Sequence, residues 1–145
     1  SYSLSVVRLN VDWCIAIKVA FDNKSFMIVN IYTPYESQQN EDEYLAKFGF
    51  LSSFINQSDF NCNFIVGDMN ADISDTCSIF GQHLVQFCEN NNLDLSSKEN
   101  LPVDSHTYIN ESWHTTSWLD YCICTEDAHE CLSKAEILYP LATTD

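Results

Sequence analysis

Glycine and proline are scarce in this sequence, which has only three of each among 145 residues. Disordered and low-complexity chains are rich in these residues and poor in apolar ones. Here hydrophobic residues make up 46% of the chain and aromatic residues 13%. The composition excludes disorder, and the length predicts one folded domain with a sizeable core.

Positive charge is also scarce. The chain has 6 basic and 21 acidic residues, and its formal net charge is -15. Such a balance repels a phosphate backbone. If the substrate is a nucleic acid, its contacts must come from a few local cations, from a bound divalent metal, or from parts of the protein outside this sequence. Solubility alone is the simpler explanation of the charge.

Long apolar runs and an N-terminal signal peptide are absent from the sequence. The seven cysteines form an odd set without regular spacing, which is typical of free thiols in a reducing compartment. Cys122-x-Cys124 has no second ligand pair at zinc spacing. We therefore expect an intracellular protein, nuclear or cytoplasmic, that is not secreted and has no membrane partner.

Apolar runs and alternating patterns predict a chain of strands interrupted by two helices. The helices are predicted after a capping box at Asn40, continuing to Ile55, and over Ile79–Asn91. The segment from Leu93 to Asp104 predicts only a short strand and a loop. The predicted strands are Leu4–Leu9, Trp13–Ala20, Phe26–Thr33, Phe60–Val66, His106–Ile109, Ser117–Thr125 and Ala135–Tyr139.

One strand exit is unusual, because polar residues follow directly on the apolar run Phe64-Ile65-Val66. Gly67 ends this run, and Asp68 and Asn70 come next. A carboxylate at the exit of a buried strand loses hydration, so it needs a metal, a cation or hydrogen bonds. The alternative is an Asx turn between Asp68 and Asn70 that closes the junction.

Other polar residues also interrupt apolar strands near their ends. In Ser117–Thr125 we expect Asp120 to share a face with Trp118, Cys122 and Cys124. Two or more carboxylates meeting at strand ends predict a hard divalent cation, Mg²⁺ or similar. The matching chemistry is phosphate-ester hydrolysis with a carboxylate that activates water. The full set is Asn30, Tyr32, Asp68, Asn70, Asp120 and Asp145.

Five short motifs occur in order: N-I-Y-T-P (30–34), G-D-M-N-A-D (67–72), S-H-T-Y (105–108), S-W-L-D-Y (117–121) and T-T-D (143–145). Together they resemble the endonuclease/exonuclease/phosphatase superfamily. Within it the chain is most similar to the apurinic-endonuclease-like endonuclease domain of non-LTR retrotransposons. The resemblance covers nearly the whole chain and implies a four-layer α/β/β/α sandwich of the DNase I-like type.

The resemblance also implies roles for the polar residues. Asp68 would orient and activate the attacking water, Asn70 would hydrogen-bond the phosphate, and Tyr32 would position it. Asp120 would orient a catalytic histidine, and Asp145 would help to hold Mg²⁺ or Mn²⁺. Asn30 and Thr107 would bind or support the phosphate.

Three departures limit the resemblance. The family's metal-binding Glu motif would precede residue 1, and the histidine that normally follows Asp145 would come after the last residue. Tyr35 also stands where many relatives carry a phosphate-binding Asn. We therefore expect residues 1–145 to be a partial domain that is incomplete at both ends.

The leading interpretation is a fragment of a divalent-metal-dependent, DNA-nicking endonuclease. Its parent protein would supply a 3'-hydroxyl to a linked reverse transcriptase domain. One alternative is a phosphatase acting on small or lipid phosphoesters, which suits the acidic charge better. The other is a truncated, non-catalytic domain, and for the chain alone we expect inactivity.

Overall fold

The computed structural model describes residues 2–57 and 62–139, which form eight strands and four α-helices. A single 3₁₀ turn, Gln38–Asn40, precedes the first helix. The strands are β1 (Tyr2–Val7), β2 (Cys14–Phe21), β3 (Lys24–Tyr32), β4 (Cys62–Asp68), β5 (Leu93–Asp94), β6 (Tyr108–Asn110), β7 (Thr115–Ser117) and β8 (Asp120–Thr125). The helices are α1 (Glu41–Gln57), α2 (Ile79–Asn91), α3 (Ser96–Asn100) and α4 (Glu126–His129).

Six strands form one mixed sheet in the order β1-β2-β3-β4-β8-β5. Strands β3 and β4 are parallel neighbours joined through α1, as the strand-helix-strand order predicts, and the other pairs are antiparallel. Strands β6 and β7 form a separate hairpin. The predicted α/β class is confirmed, and the described residues supply one large sheet of the predicted sandwich with helices beside it.

The first three strands are a meander whose turns use residues that tolerate left-handed backbone. Asp22 has φ 50° in the two-residue turn between β2 and β3, where Phe21 pairs with Lys24. Asn10 has φ 53° in the connection between β1 and β2. Asp and Asn adopt this conformation more readily than most residues, which explains the turns predicted there.

The two long helices follow their predicted patterns. Helix α1 carries three acidic residues in its first turn, where they suit the helix dipole. Helix α2 has the predicted bounds and ends on Asn92, which is left-handed with φ 51° and whose N–H bonds to the carbonyls of Cys88 and Glu89. Tyr44 of α1 stacks on Phe80 of α2, with ring centroids 3.9 Å apart.

One face of the sheet packs against α1 and α2. Alternate residues of β2, β3, β4 and β8 point to this face, which we call the covered face. Together with the apolar stripes of the helices they form a single core cluster. The buried strand residues of the covered face are Cys14, Ala16, Met27, Val29, Ile31, Ile65, Tyr121 and Ile123.

The opposite face is just as apolar over β1 to β4 but is open, and we call it the bare face. Leu4 is 61% exposed, Val6 68% and Ile15 63%. The residues between them on the same face, including Ile17 and Ile28, are only half-buried. At the β8 side, Cys124 of this face is buried against Ser96 of α3. The other apolar members are Tyr2, Val19, Phe21, Phe26, Phe64 and Val66.

The predicted strand over Ser117–Thr125 is wrong in its first half. Strand β7 ends at Ser117 and β8 begins at Asp120. Trp118 breaks the strand because its side chain bonds back to the carbonyl of Asp120 at 2.9 Å. Trp118 is buried and stacks on Tyr121, with 6.0 Å between ring centroids, so it does not share the face of Asp120.

Two further predictions need correction. Residues 135–139 form no strand, because they pair with no strand among the described residues, and an apolar run becomes a strand only beside a partner. Helix α3 interrupts the segment predicted as strand and loop. The first two residues of the predicted strand Phe60–Val66 lie outside the described residues. In residues 2–57 and 62–139 no helix is long and apolar enough to cross a bilayer.

Candidate active site at the ends of three strands

Three of the predicted site residues lie in one row across neighbouring strands. Tyr32 of β3 pairs in register with Asp68 of β4, and Asp68 pairs with Asp120 of β8. Adjacent strands are about 4.8 Å apart, so the row spans roughly 10 Å. Asn30 lies two residues earlier on the same face of β3, where it pairs with Val66. The row is therefore the polar end of the otherwise apolar bare face.

The two carboxylates of the row oppose each other directly. Burial raises the pKa of Asp68 above its usual 3.8, the N–H of Asn70 lowers it in part, and the charge of Asp120 raises it again. In the described residues neither carboxylate forms an ion pair with a lysine, arginine or histidine. Like charges opposite each other in a sheet are destabilising, so this pair favours a bound cation.

Asp68 and Asn70 form the Asx turn that was the alternative to a site. The N–H of Asn70 donates to Asp68 Oδ1 at 2.9 Å, and Asn70 is left-handed with φ 44°. The Asn70 amide also donates to the carbonyl of Thr33 at 2.8 Å. The turn thus fixes the amide between the ends of β3 and β4, and the two interpretations are compatible.

Gly67 allows this close approach of β3 and β4. Its φ is +131°, and a Cβ atom there would lie 2.1 Å from the carbonyl oxygen of Ile31. No side chain fits at such a distance, so the strand exit requires glycine. The backbone pairing continues past Gly67, where the N–H of Thr33 donates to the carbonyl of Asp68 at 3.1 Å.

Thr107 supports the row from the β6–β7 hairpin side. Its Oγ1 accepts hydrogen bonds from the N–H groups of Leu119 and Asp120, both at 3.0 Å. These bonds hold the backbone that enters β8, and hence the position of Asp120. The role of Thr107 stays a prediction, and these bonds are compatible with a supporting one.

Asp72 joins the loop after Asn70 to the same backbone, a role that we did not predict for it. Its two carboxylate oxygens accept from the N–H of Ser74 at 2.9 Å and from the N–H of Trp118 at 3.3 Å. Tyr121 adds a second link, because its hydroxyl donates to the carbonyl of Trp118 at 2.7 Å and accepts from the N–H of Ile73 at 3.2 Å. The Asp-x-Ser pattern at 72–74 is a local signal for the first of these bonds.

Glu36 is a second residue that the sequence did not reveal. Its carboxylate accepts from the Ser78 hydroxyl at 2.6 Å and from the N–H of Ile79 at 2.7 Å. A negative charge at the start of α2 suits the helix dipole. These bonds join the loop after Tyr32 to the end of the loop after Asn70. The partners are separated by more than 40 residues, so no local pattern could have identified them.

The described residues fit part of a site for a divalent cation. Asp68, Asp120 and the Asn70 amide oxygen are hard ligands of the kind that Mg²⁺ prefers. In residues 2–57 and 62–139, however, no group of three or more His, Cys, Asp and Glu side chains could hold a metal ion. The predicted metal ligand Asp145 lies outside the described residues.

A cluster around His129 resembles a nucleophilic triad but is inaccessible. Its Nδ1 lies 2.8 Å from Ser96 Oγ, and its Nε2 lies 3.5 Å from Glu99. Ser96 is only 1% exposed and also contacts Cys124. A serine without access to substrate cannot act as a nucleophile. The cluster therefore holds α3 and α4 against β8.

No family model matches the chain, and no curated protein matches it in sequence. Solved structures do match it. The endonuclease domain of TRAS1, a telomere-specific non-LTR retrotransposon, is 18% identical with a TM-score of 0.63, over 86% of this chain and 57% of that one. The 3' phosphatase NExo from Neisseria, bound to product DNA hairpin, is 12% identical with a TM-score of 0.59, over 79% of this chain and 53% of that one.

A third similar structure is an endonuclease/exonuclease/phosphatase family protein from Leptotrichia buccalis. It is 12% identical with a TM-score of 0.58, and the match covers 87% of this chain and 48% of that one. The chain has the DNase I-like fold of these structures, which confirms the fold that the resemblance implies. It spans about half the length of these three structures.

Proposed function

We propose that this chain carries one half of a metal-dependent phosphodiesterase centre, and that its parent protein is a DNA-nicking endonuclease of a non-LTR retrotransposon. The observation that supports this most is the row of Tyr32, Asp68 and Asp120 at one end of the sheet. Asn70 is fixed beside the row by its bond to Thr33. The likeness to the TRAS1 endonuclease domain favours the retrotransposon branch.

The side chains of the row suit hydrolysis of a phosphodiester. Asp68 is a carboxylate with a raised pKa, which favours it as the base that takes a proton from the attacking water. The Asn70 amide has a second N–H that can donate to a phosphate oxygen as charge develops there. Tyr32 is 62% exposed, so its hydroxyl can reach a phosphate from solvent.

The remaining roles depend on groups outside the described residues. Asp120 would orient a histidine from elsewhere in the parent protein, and Asp145 would join the metal ligands. A bound Mg²⁺ or Mn²⁺ would neutralise charge on the phosphate. Attack of water breaks the bond between phosphorus and the 3'-oxygen and leaves a 3'-hydroxyl, which a reverse transcriptase linked to this domain could extend. Such a protein would work inside the cell.

Nicking of supercoiled plasmid in Mg²⁺ tests the proposal. We expect the 145-residue chain to be inactive, because its described residues hold no complete ligand set. The chain within its full reading frame should nick, and Asp68→Asn there should lower the rate by about 10²-fold or more. Asp42→Asn, an exposed acid in the first turn of α1, is the matched control and should leave the rate unchanged.

The result can also overturn the proposal. Nicking by the short chain that Asp68→Asn abolishes would show that the half-site suffices, whereas nicking that survives Asp68→Asn would indicate a contaminant. A full-length protein that does not nick DNA at all would exclude the nuclease assignment.

A phosphatase on small or lipid phosphoesters is the second candidate. The net charge of -15 favours it, because a small substrate needs fewer contacts with cationic side chains than a duplex does. Phosphate release from inositol phosphates by the full-length protein, without plasmid nicking, would establish this alternative. Absence of both activities, in a protein shown to be folded, would favour a non-catalytic domain.

A further inference from the structure

A cavity lies at the opposite end of β4 from the row. Its volume is about 430 Å³, and it is formed by the turn between β2 and β3, the first residue of β4 and the end of α4. β4 has seven residues, so the cavity is roughly 20 Å from Asp68. Two cysteines line it, Cys62 and Cys131.

The two thiols line the same cavity. All seven cysteines are free; Cys131 is exposed and Cys62 half-buried. Both side chains face this cavity, and the electrostatics of Cys62 includes a contribution from Cys131. Cys131 Sγ also lies 3.4 Å from the carbonyl of Asp127, which fixes its position. A disulfide needs Cβ atoms about 3.8 Å apart, and we expect the two side chains to reach this separation with a change of rotamer.

We propose that Cys62 and Cys131 form a disulfide on exposure to an oxidised low-molecular-weight thiol such as glutathione disulfide. Cys131 reacts first because it is exposed. Its thiolate attacks one sulfur of glutathione disulfide, that bond breaks, and the first glutathione leaves and takes up the proton that Cys131 lost. The Cys62 sulfur then attacks Cys131 Sγ, and the second glutathione leaves with the proton of Cys62. Two protein thiols are oxidised by two electrons, and one glutathione disulfide is reduced to two thiols.

The surroundings assign the order of the two steps. Burial raises the pKa of Cys62, the neighbouring Cys131 and Asp127 raise it further, and Lys24 lowers it. A thiol with a raised pKa is a poor first nucleophile at neutral pH but can resolve a mixed disulfide placed beside it. Among residues 2–57 and 62–139, Lys24 is the cation that favours the Cys62 thiolate, so Lys24→Met should slow the second step.

The disulfide would fix one end of the segment 132–139, which we call the strap. At its other end, the Tyr139 hydroxyl donates to the carbonyl of His106 at 2.8 Å. Eight residues can extend over roughly 26 Å, enough to run the length of β4. His106 precedes Thr107, which holds the backbone of Asp120. Oxidation would thus anchor the strap at the first residue of a central strand.

The test uses the 145-residue chain in a glutathione redox buffer, followed by alkylation, digestion and mass spectrometry. We expect one linked peptide pair containing Cys62 and Cys131, with a mass lower by two hydrogens, and the other five cysteines alkylated. Trypsin cleavage after Lys134 in the strap should be slower in the oxidised chain by roughly tenfold, because cleavage requires local opening. Alkylation of both Cys62 and Cys131 under oxidising conditions, or a link between other cysteines, would overturn the proposal.

Three serine variants complete the test. Cys62→Ser should leave Cys131 as a stable mixed disulfide with glutathione, whereas Cys131→Ser should leave Cys62 unlinked. Cys77→Ser removes another exposed thiol and is the matched control, so its crosslink should equal that of the original chain. Circular dichroism of each reduced variant separates loss of the crosslink from loss of the fold. A folded Cys131→Ser chain that still links Cys62 to another cysteine would contradict the assignment.

Discussion

The two faces of the six-stranded sheet are made from similar residues but have different surroundings. Ile31 on the covered face is 1% exposed, whereas Ile15 on the bare face is 63% exposed, although both lie in neighbouring central strands. The difference comes from α1 and α2, which pack on one side only. The comparison shows that an apolar strand pattern predicts a need for burial but does not identify the partner that provides it.

The bare face also carries the candidate site at one end. A contiguous apolar surface of this kind usually marks an interface in a soluble protein. The site and the open surface are therefore one continuous region, and substitutions can separate their contributions.

Gly67→Ala should have the largest effect on the free energy of unfolding, because it forces β3 and β4 apart. Both faces of the sheet depend on this pair of strands. The added Cβ would meet the Ile31 carbonyl at 2.1 Å in a backbone conformation that alanine avoids. Strain and overpacking together predict a loss of roughly 2–6 kcal/mol in the free energy of unfolding. Urea denaturation measures it, and Gly49→Ala, at a helical glycine with open space around it, should be neutral or stabilising. If the free energy of unfolding falls by less than about 1 kcal/mol, β3 and β4 can separate at little cost and the prediction is wrong.

A matched pair of truncations tests the covered face against the bare one. Ile31→Ala should lower the free energy of unfolding by roughly 2–5 kcal/mol, because it leaves a cavity beneath the helices. Ile15→Ala removes the same atoms from an exposed position and should change it by about 0.5 kcal/mol or less. Chemical denaturation of both variants under one condition gives the difference. Equal losses would mean that the bare face is covered in solution.

Charged residues on the bare face should change association more than stability. We expect Val6→Lys with Ile15→Lys to lower self-association and dye binding, while the free energy of unfolding stays within about 0.5 kcal/mol. Both side chains are more than half exposed, so their lysines can remain hydrated. Sedimentation and binding of a hydrophobic dye provide the measurements. The control is Val103→Lys, at a site that is 99% exposed and outside the sheet.

Asp68→Asn should change the free energy of unfolding only modestly, with a distinct dependence on pH. Because the folded pKa of Asp68 is raised, its favourable contribution is present below the unfolded pKa and is lost as the pH rises through the folded value. The variant should therefore gain a few tenths to about 1 kcal/mol at pH 7 and nothing at pH 3. Urea titrations at both values measure this. Asp120→Asn relieves the same repulsion, so the gains of the two variants should not add.

Local patterns predicted much of this fold. The bounds of α2, the turns at Asn10 and Asp22, and the central position of β3 follow from capping, turn chemistry and alternation. Local patterns do not predict the break between β7 and β8 at Trp118. This break depends on hydrogen bonds from side chains to backbone carbonyls a few residues away. Residues 135–139 of the strap were wrongly predicted to form a strand. An apolar run has the same sequence pattern whether or not a partner strand lies beside it.

Sequence reasoning named the residues that meet in the row, but it did not find all of the hydrogen bonds around them. Tyr32, Asp68 and Asp120 stand out because a polar residue in an apolar strand is rare. Their common row depends on the strand order of the sheet, which local sequence patterns leave open. Glu36 could not be found, because its bonds to Ser78 and Ile79 exist only after the chain has folded.

The position of the carboxylate row at the edge of the bare face couples two binding equilibria. Any surface that covers this face also removes water from Asp68 and Asp120, which increases the cost of leaving two like charges uncompensated. A cation that relieves this cost must then bind more tightly to the covered form than to the open one. By thermodynamic reciprocity, the cation strengthens the covering contact by the same factor.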